Sequence, residues 1–251
     1  MAYAITQSLN LVNASTQYGS SATTYGLTSW QAFTVEAWVK LNTNPASGLS
    51  YEVATIGWAT IGARLRVTNL AGGGMTIEAF RHAWGIDTTF LRCAFSFTFG
   101  QWYHLAFTKD GSNNGKLYLN GVLVGSAALG AGTGNTVSVL STVGVGYDNG
   151  AITATSAWDG RISLHRVWNS AKTQQELSVN RCNVFGAATT GMVAEHSLDN
   201  VYTDASGGLF TLTATGTPTF AGDVPGVCGP RLGDLRKNNL RPKIFTPGRA
   251  R

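Results

Sequence analysis

Cysteine is scarce in this sequence, and its spacing lacks the patterns of metal and disulfide frameworks. The chain has three cysteines, Cys93, Cys182 and Cys228, and no two of them form a CxxC pair. An odd and sparse count argues against a disulfide-stapled secreted framework and against a zinc site. A single disulfide in an oxidising compartment stays open as an alternative.

Long hydrophobic runs and targeting signals are also missing. No apolar stretch approaches the roughly 18 residues that a membrane-spanning helix needs. The first residues, MAYAITQSLNLV, have neither the basic segment nor the apolar segment of a secretory signal peptide. We therefore expect no membrane partner, no signal peptide, and a protein that stays or assembles in a cytoplasm.

Charge is sparse over most of the chain and concentrated at its end. Residues 231–251 carry seven basic side chains and one acid, a net of 7 − 1 = +6. The other 230 residues carry 11 basic and 12 acidic side chains, a net of −1. A basic tail on a nearly neutral body does not offer the broad basic face of a nucleic-acid-binding protein, so nucleic acid is not expected as a partner.

Catalytic patterns are missing as well. There is no GxSxG elbow, no HExxH pair and no phosphate-binding loop of the GxxxxGK[ST] type. Retaining glycosidases need two carboxyl groups about 5–5.5 Å apart, whereas Glu36 and Glu78 stand alone in their predicted strands, and only a cross-strand pair stays open. The four histidines are scattered, and we interpret His104 and His165 as structural residues. The sequence predicts a protein that is not an enzyme.

Glycine and alternating strands are what the sequence does contain. Glycine fills 31 of the 251 positions, which favours short strands joined by tight turns in one all-β domain. In residues 33–40 the side chains of Phe33, Val35, Ala37 and Val39 share one face, and the segment 102–109 repeats this period of two. Such alternation predicts half-buried antiparallel strands.

Two local motifs fix further elements. Asn120-Gly121 lies between two short runs of β-forming residues, which predicts a hairpin with a type I′ turn. Thr173 followed by Glu176 forms a capping box, which predicts a short helix that ends near Arg181.

These segments, taken in order, resemble the laminin-G-like and concanavalin-A-like jelly-roll family. The motifs that carry the resemblance are SLNLVNASTQYGSS at 8–21, FTVEAWVKLN at 33–42, QWYHLAFTKDGSNNGKLYLNGVLVGS at 101–126 and WDGRISLHRVWNSAKTQQEL at 158–177. The resemblance covers most of residues 1–224 and implies an antiparallel jelly-roll β-sandwich with one short helix.

The chain departs from the family pattern at two places. Ser163 and Leu164 stand where many relatives carry two acids. The segment 191–220 resembles the strand pair that often opens such domains, yet here it comes last. Because the termini of a domain often lie close together, we expect this segment to pair with the opening strands in a permuted arrangement.

The family resemblance implies binding of glycans or protein partners, often with calcium. No cofactor is required by the sequence, but Asp148 and Asp159 lie in loops where relatives use acids to hold calcium. The alternative is that both acids only stabilise turns. For glycans, an aromatic platform beside convergent polar groups is offered by Trp84, Arg81, Asp87, Trp58 and Tyr147. The alternative is that the tryptophans fill the core.

The basic tail predicts an arm that binds an acidic protein surface. The residues of this arm are Arg231, Arg236, Lys237, Arg241, Lys243, Ile244, Phe245, Arg249 and Arg251. Ile244 and Phe245 would form its apolar anchor, and added salt would loosen it. The alternative is a disordered, solvated terminus.

These expectations combine into one leading hypothesis with two alternatives. Residues 1–229 would form the sandwich, and residues 230–251 the extended basic arm. The leading hypothesis is a non-enzymatic bacteriophage virion protein, of decoration or fibre type, attached through the arm to a capsid or tail and contacting glycans through its loops. A free-standing lectin-like module is the first alternative, and a glycoside hydrolase of the same fold is the second. A homo-oligomer is compatible with either binding role.

Overall fold

The computed structural model describes residues 5–22, 25, 32–57, 62–83, 86–129, 140–148, 150–187, 189–208 and 210–226. Strands dominate these residues, with one short helix, α1 (Gln174–Asn180). The strands are β1 (Ser8–Leu11), β2 (Tyr18–Ser21), β3 (Phe33–Leu41), β4 (Ser50–Ile56), β5 (Gly62–Leu70), β6 (Gly74–Ala83), β7 (Ile86–Ala94), β8 (Trp102–Lys109), β9 (Asn114–Leu119), β10 (Val122–Ala128), β11 (Ser141–Val143), β12 (Gly146–Asp148), β13 (Ala151–Thr153), β14 (Gly160–Trp168), β15 (Met192–His196), β16 (Thr213–Thr215) and β17 (Thr219–Ala221).

The strands form two large antiparallel sheets packed face to face. The first sheet has the order β10-β9-β8-β3-β14-β1-β17, with β15 also paired to β14. The second sheet has the order β16-β2-β11-β4-β5-β6-β7, and β12 and β13 form a separate hairpin. One apolar cluster fills the space between the sheets, with Val35 and Leu105 from the first sheet and Leu65 and Ile77 from the second. The predicted all-β jelly-roll sandwich is confirmed.

The alternation in β3 places its side chains as predicted, but both faces of the strand are covered. Phe33, Val35, Ala37 and Val39 belong to the central cluster. On the outer face Thr34, Glu36 and Trp38 are buried as well. The strand is therefore more buried than its alternating pattern indicated, because another layer of chain lies on the outer face of the first sheet.

Helix α1 contributes to that outer layer. The Thr173 hydroxyl accepts a hydrogen bond from the Glu176 backbone N–H at 3.2 Å, and the Glu176 carboxylate accepts one from the Thr173 backbone N–H at 2.7 Å. This capping box, predicted from the sequence, fixes where the helix begins. Leu177 of α1 packs on Ala106 and Tyr118 of the first sheet in a small second cluster.

The hairpin between β9 and β10 has the predicted turn. Asn120 and Gly121 both have positive φ, 53° and 80°, as a type I′ turn requires. Gly121 is also pressed against the helix, because a Cβ built on it would lie 2.9 Å from the Ser178 Cα. A larger residue at Gly121 would therefore push the hairpin away from α1.

The closing segment of the domain pairs with its opening strands. β17 pairs with β1, with Leu9 opposite Phe220, and β16 pairs with β2, with Gly19 opposite Ala214. Asp223 then fastens the end of β17, because it accepts hydrogen bonds from Trp102 Nε1 at 3.1 Å and from Lys40. The permuted pairing expected from the sequence is confirmed.

Several sequence predictions concern residues that the structure does not describe. The arm at 230–251 lies outside the described residues, so the proposed boundary at 229 stays a prediction. Among the cysteines, Cys182 is disulfide-bonded and Cys93 is free. One of the three cysteines is therefore in a disulfide bond, which is the alternative that the sequence left open.

No helix in the described ranges is long and apolar enough to span a membrane.

Candidate functional site

A row of alternating charges crosses the outer face of the second sheet. Glu52 of β4 is opposite Arg66 of β5, Arg66 is opposite Glu78 of β6, and Glu78 is opposite Arg92 of β7. We call these four residues the charge ladder. Side chains directly opposite on one face of a sheet interact most closely, so this register places each acid beside a base.

The acids of the charge ladder are buried and ion-paired. Both Glu52 and Glu78 are 0% exposed. Glu78 Oε2 lies 2.8 Å from Arg66 Nη2, and Glu78 Oε1 lies 2.5 Å from Arg92 Nε. Burial raises the pKa of Glu78, but Arg66, Thr68 and Arg92 outweigh burial and lower the pKa below its ordinary value. Glu78 is therefore a fixed anion, unsuited to proton transfer.

Arg64 connects the charge ladder to the β12–β13 hairpin. Arg64 Nη2 donates to Glu52 Oε1 at 2.6 Å, and Arg64 Nη1 lies 3.5 Å from Asp148 Oδ2. Its guanidinium carbon also lies 5.4 Å from the centre of the Phe80 ring. A Cβ at Gly146 would lie 2.8 Å from Arg64 Nη2, so only glycine lets β12 approach this closely. The guanidinium thus holds the hairpin against a rigid buried base.

Tyr147 and Asp148 are the predicted site residues that this arrangement brings together. Tyr147 is half-buried on β12, and Asp148 beside it has a side chain that is 49% exposed. Asp148 contacts Arg64, whereas successive side chains of a strand point to opposite faces, so Tyr147 points away from the guanidinium. The predicted calcium residue Asp148 and the predicted glycan residue Tyr147 therefore lie on opposite faces of one hairpin strand.

The backbone brings Arg81 and Asp87, two other predicted glycan residues, to the same end of the second sheet. Ala63 is paired with Arg81, and His82 is paired with Asp87, directly beside the row that contains Arg64. Trp58, Trp84 and the side chains of Arg81 and Asp87 lie outside the described residues, so their part in a site stays a prediction.

Asp159, the second predicted calcium ligand, has different contacts. Its Oδ2 accepts a hydrogen bond from the Thr43 hydroxyl at 2.5 Å, whereas Asp148 contacts Arg64. Calcium takes six to eight oxygen ligands. No group of three or more His, Cys, Asp or Glu that could hold a metal ion occurs among the described residues. These contacts do not assemble a calcium site, and the calcium hypothesis stays a prediction for solution measurement.

A second buried charge cluster lies on the outer face of the first sheet. Glu36 accepts hydrogen bonds from Arg166 Nη1 at 3.1 Å, Trp168 Nε1 at 2.9 Å and His104 Nε2 at 3.0 Å. Burial raises the pKa of Glu36, but Arg166, His104 and Trp168 together outweigh burial and hold the pKa at about 2. We call these four residues the Glu36 cluster. Its carboxylate stays ionised and fully bonded.

Two further buried histidines, His165 and His196, form a pair. His165 Nδ1 lies 3.1 Å from His196 Nδ1, and His196 Nε2 lies 2.8 Å from the Phe210 carbonyl oxygen. Because a carbonyl oxygen only accepts, His196 carries its proton on Nε2 and accepts from His165 through Nδ1. Burial lowers the pKa of both rings. His165 and His104 are thus buried structural residues of the first sheet, as interpreted from the sequence.

The charge ladder and the Glu36 cluster were missed by sequence reasoning. Glu52, Arg64, Arg66 and Arg92 each occupy an outward position in an alternating strand, and Arg64-Leu65-Arg66 was the visible sign of a charged outer face. The pairing between strands decides which charges meet, and the register of distant strands cannot be read from one strand alone.

A known family matches most of the strands described above. The model of the family described as the concanavalin A-like lectin/glucanases superfamily matches residues 13–178, more than half of the chain. No protein of curated function matches the chain in sequence.

Solved structures share the fold at low sequence identity. A candidate carbohydrate binding protein from Bacteroides ovatus ATCC 8483 has a TM-score of 0.67 and 22% identity, covering 88% of this chain and 60% of its own. The heptameric SAP-like pentraxin from Limulus polyphemus has a TM-score of 0.62 and 15% identity, covering 88% and 97%. The enzymatically active domain of tailspike protein 2 from Bacteriophage CBA120 has a TM-score of 0.52 and 14% identity, covering 79% and 34%.

Proposed function

Because the chain belongs to the concanavalin A-like lectin/glucanase superfamily, we propose that it is a non-enzymatic carbohydrate-binding protein. The binding face is the end of the second sheet where Arg64 holds the β12–β13 hairpin that carries Tyr147 and Asp148. The observation that carries this proposal is the buried ion pair of Arg64 with Glu52, which holds the β12–β13 hairpin on a rigid base. A preorganised hairpin that carries an aromatic ring is suited to sugar binding because little entropy is lost when the ligand binds.

The absence of catalysis is supported by how the carboxylates are used. A glycosidase of this fold would need one carboxyl group free to give and take a proton. In the charge ladder Arg66 lies between Glu52 and Glu78 and contacts both of them. Glu36 is bonded by three donors on the other sheet. These acids therefore suit a structural role better than acid–base chemistry.

The binding proposal is tested with a glycan array and a matched pair of tyrosine variants. The Tyr147→Ala variant should lose most of the array signal, since the ring that faces the sugar is removed. The Tyr18→Ala variant, which removes another half-buried tyrosine from a short strand, β2 of the second sheet, should keep the signal. Circular dichroism of both variants checks that the fold persists.

Trp84→Ala provides an independent test at the predicted platform. We expect this variant to lose glycan binding without unfolding. Equal binding by the wild-type, Tyr147→Ala and Trp84→Ala proteins would remove this face from consideration. Release of free sugar from a bound glycan would instead overturn the non-enzymatic assignment.

A virion role is the second candidate function, and it rests on weaker support. The fold is shared with a bacteriophage tailspike domain, which says nothing by itself about assembly. The basic arm at 230–251 would attach the sandwich to an acidic capsid or tail surface. Amide hydrogen exchange of the full chain tests this idea. Fast exchange at 230–251 that slows on an assembled particle supports attachment, and slow exchange in the free chain argues against it.

Calcium dependence is tested by calorimetry on the full chain. If Asp148 and Asp159 bind calcium, titration should give heat that the Asp159→Asn variant lacks. A titration without heat would remove calcium from the proposal and would leave a purely side-chain glycan site.

A further inference from the structure

A pocket lies on the outer face of the first sheet, separate from the face proposed above. Its volume is about 170 Å³. Glu36 and Trp168 of the sheet lie at its base, and Leu177 of α1 and Phe185 line its sides. The pocket is therefore a gap in the layer that covers this sheet.

The base of the pocket is rigid, and its charged groups are already bonded within the protein. Trp168 donates its only N–H to Glu36, so the indole is fixed in orientation. The Phe185 ring stands almost perpendicular to it, at 86° and 5.3 Å between centroids. Arg166 compensates the charge of Glu36 at 3.1 Å. Trp168 is 3% exposed with Lys172 over its ring, so the base offers an aromatic corner to a ligand once that lysine turns aside.

The mouth of the pocket carries polar groups whose charges also balance. Lys172 Nζ lies 3.6 Å from Glu176 Oε1 and 4.2 Å from the centre of the Trp168 ring. Thr189 and Thr190 line the pocket as well and add two hydroxyl groups. Because the lysine side chain is long and flexible, its ammonium group can turn from the indole toward an incoming hydroxyl.

We propose that this pocket binds one uncharged sugar ring. The charged groups at base and mouth are already bonded within the protein, so a charged ligand would lose its hydration without gaining a free partner. An aromatic corner suits the C–H face of a sugar ring, while the ammonium, carboxylate and threonine groups suit its hydroxyls. The small volume limits the occupant to about one ring. The proposal rests on the proposed carbohydrate-binding function and adds a second, independent site.

The first experiment is NMR of the full chain with ¹⁵N-labelled tryptophan, in which Trp168→Phe assigns the Trp168 indole signal. The probes are glucose, galactose, mannose and N-acetylglucosamine, with glucuronate and glucosamine as charged comparisons. At least one neutral sugar should shift the Trp168 signal with a Kd of about 1–10 mM, as is usual for a ligand of about a dozen heavy atoms. Charged sugars should bind at least about tenfold more weakly.

A matched pair of variants tests the location. Thr190→Phe narrows the mouth and should abolish the shift, whereas Thr213→Phe, an equal change at an exposed position of β16, should leave it intact. The proposal is overturned if no neutral sugar moves the Trp168 signal at about ten times the expected Kd. It is also overturned if the shift survives in Thr190→Phe.

The two sites fail independently, so the outcomes are distinguishable. Loss of array binding in Tyr147→Ala with no Trp168 shift in any protein supports the second-sheet site and rejects the pocket. A Trp168 shift that persists in Tyr147→Ala supports the pocket whatever the array reports for the second sheet.

Discussion

The outer faces of the two sheets both bury charged side chains, but they bury them in different ways. On the first sheet Arg166 is 0% exposed, and Glu36 is enclosed by three donors beneath α1 and the segment that follows it. On the second sheet the charge ladder runs from the buried Glu52 to Arg92, whose side chain is 45% exposed. One network is closed, and the other reaches the surface.

This difference suggests that the closed network of the first sheet stabilises the fold, whereas the charge ladder of the second sheet can present side chains for binding. A closed ion pair costs desolvation on both partners and is lost as a unit when one partner is removed. A network that reaches solvent keeps part of its hydration, so its outer members contribute little to stability and can serve binding. The four predictions below test this contrast, beginning with the largest expected effect.

Removal of Arg166 should have the largest effect on stability. Arg166→Met leaves Glu36 buried beside His104 without its guanidinium, and we expect the free energy of unfolding to fall by about 3–5 kcal/mol. Urea unfolding followed by tryptophan fluorescence measures the change. A loss no larger than that of an exposed arginine variant would show that the Glu36 cluster is not closed.

Acid should weaken the first sheet through the Glu36 carboxylate. Its pKa is lowered from 4.5 to about 2 in the folded protein, so the stabilisation is complete above pH 4.5 and is lost as the pH falls toward 2. The shift corresponds to about 3 kcal/mol. Urea unfolding across this range should show the loss in the wild type and a smaller one in Glu36→Gln. Equal acid sensitivity of the two proteins would contradict the assignment.

Loss of the helix cap should loosen the cover of the first sheet alone. Thr173→Ala removes the hydroxyl that accepts from the Glu176 N–H, and we expect a cost of about 1 kcal/mol. Hydrogen exchange should increase in α1 while the strands of the second sheet keep their protection. Thr213→Ala, at an exposed strand position, serves as the matched control. Equal increases of hydrogen exchange in both sheets would show that α1 does not unfold as a local unit.

Removal of Arg92 should have the smallest effect. Arg92→Met takes away one partner of Glu78, but Arg66 and Thr68 still bond that carboxylate. Because Arg92 is partly exposed, the expected loss of unfolding free energy is about 0–1 kcal/mol. Comparison with Arg166→Met under the same urea conditions sharpens the contrast. A loss of unfolding free energy as large as that of Arg166→Met would show that the charge ladder is a closed network like the Glu36 cluster.

The sequence predicted those parts of the fold that depend on neighbouring residues. The turn at Asn120-Gly121 follows from the tolerance of both residues for positive φ, and the start of α1 follows from the reciprocal bonds of Thr173 and Glu176. The alternation of Phe33, Val35 and Ala37 predicted which face meets the core. Each of these motifs contains its own physical cause within a few residues.

The candidate site was only partly accessible to the same reasoning. Tyr147 and Asp148 were selected as loop residues, but the loop prediction was wrong, because both lie on strand β12 and pair with β13. Arg64 lies 84 residues before Asp148 in the sequence. Its contact with the hairpin could not be predicted, because that contact depends on β12 packing beside β4 and β5. The pocket at Trp168 was equally hidden, because α1 and Phe185 reach it only after the chain has folded over the sheet.

What the sequence determined alone is the strands at 33–40 and 102–109, the hairpin turn, the capped helix and the family motifs, all of which arise from local preferences and period-two patterning. Only the tertiary structure decided that Glu52, Arg66, Glu78 and Arg92 form one row, and that Glu36 meets Arg166. Strand register and sheet packing bring distant residues into contact, and the energy of a buried charge depends entirely on which partner lies beside it.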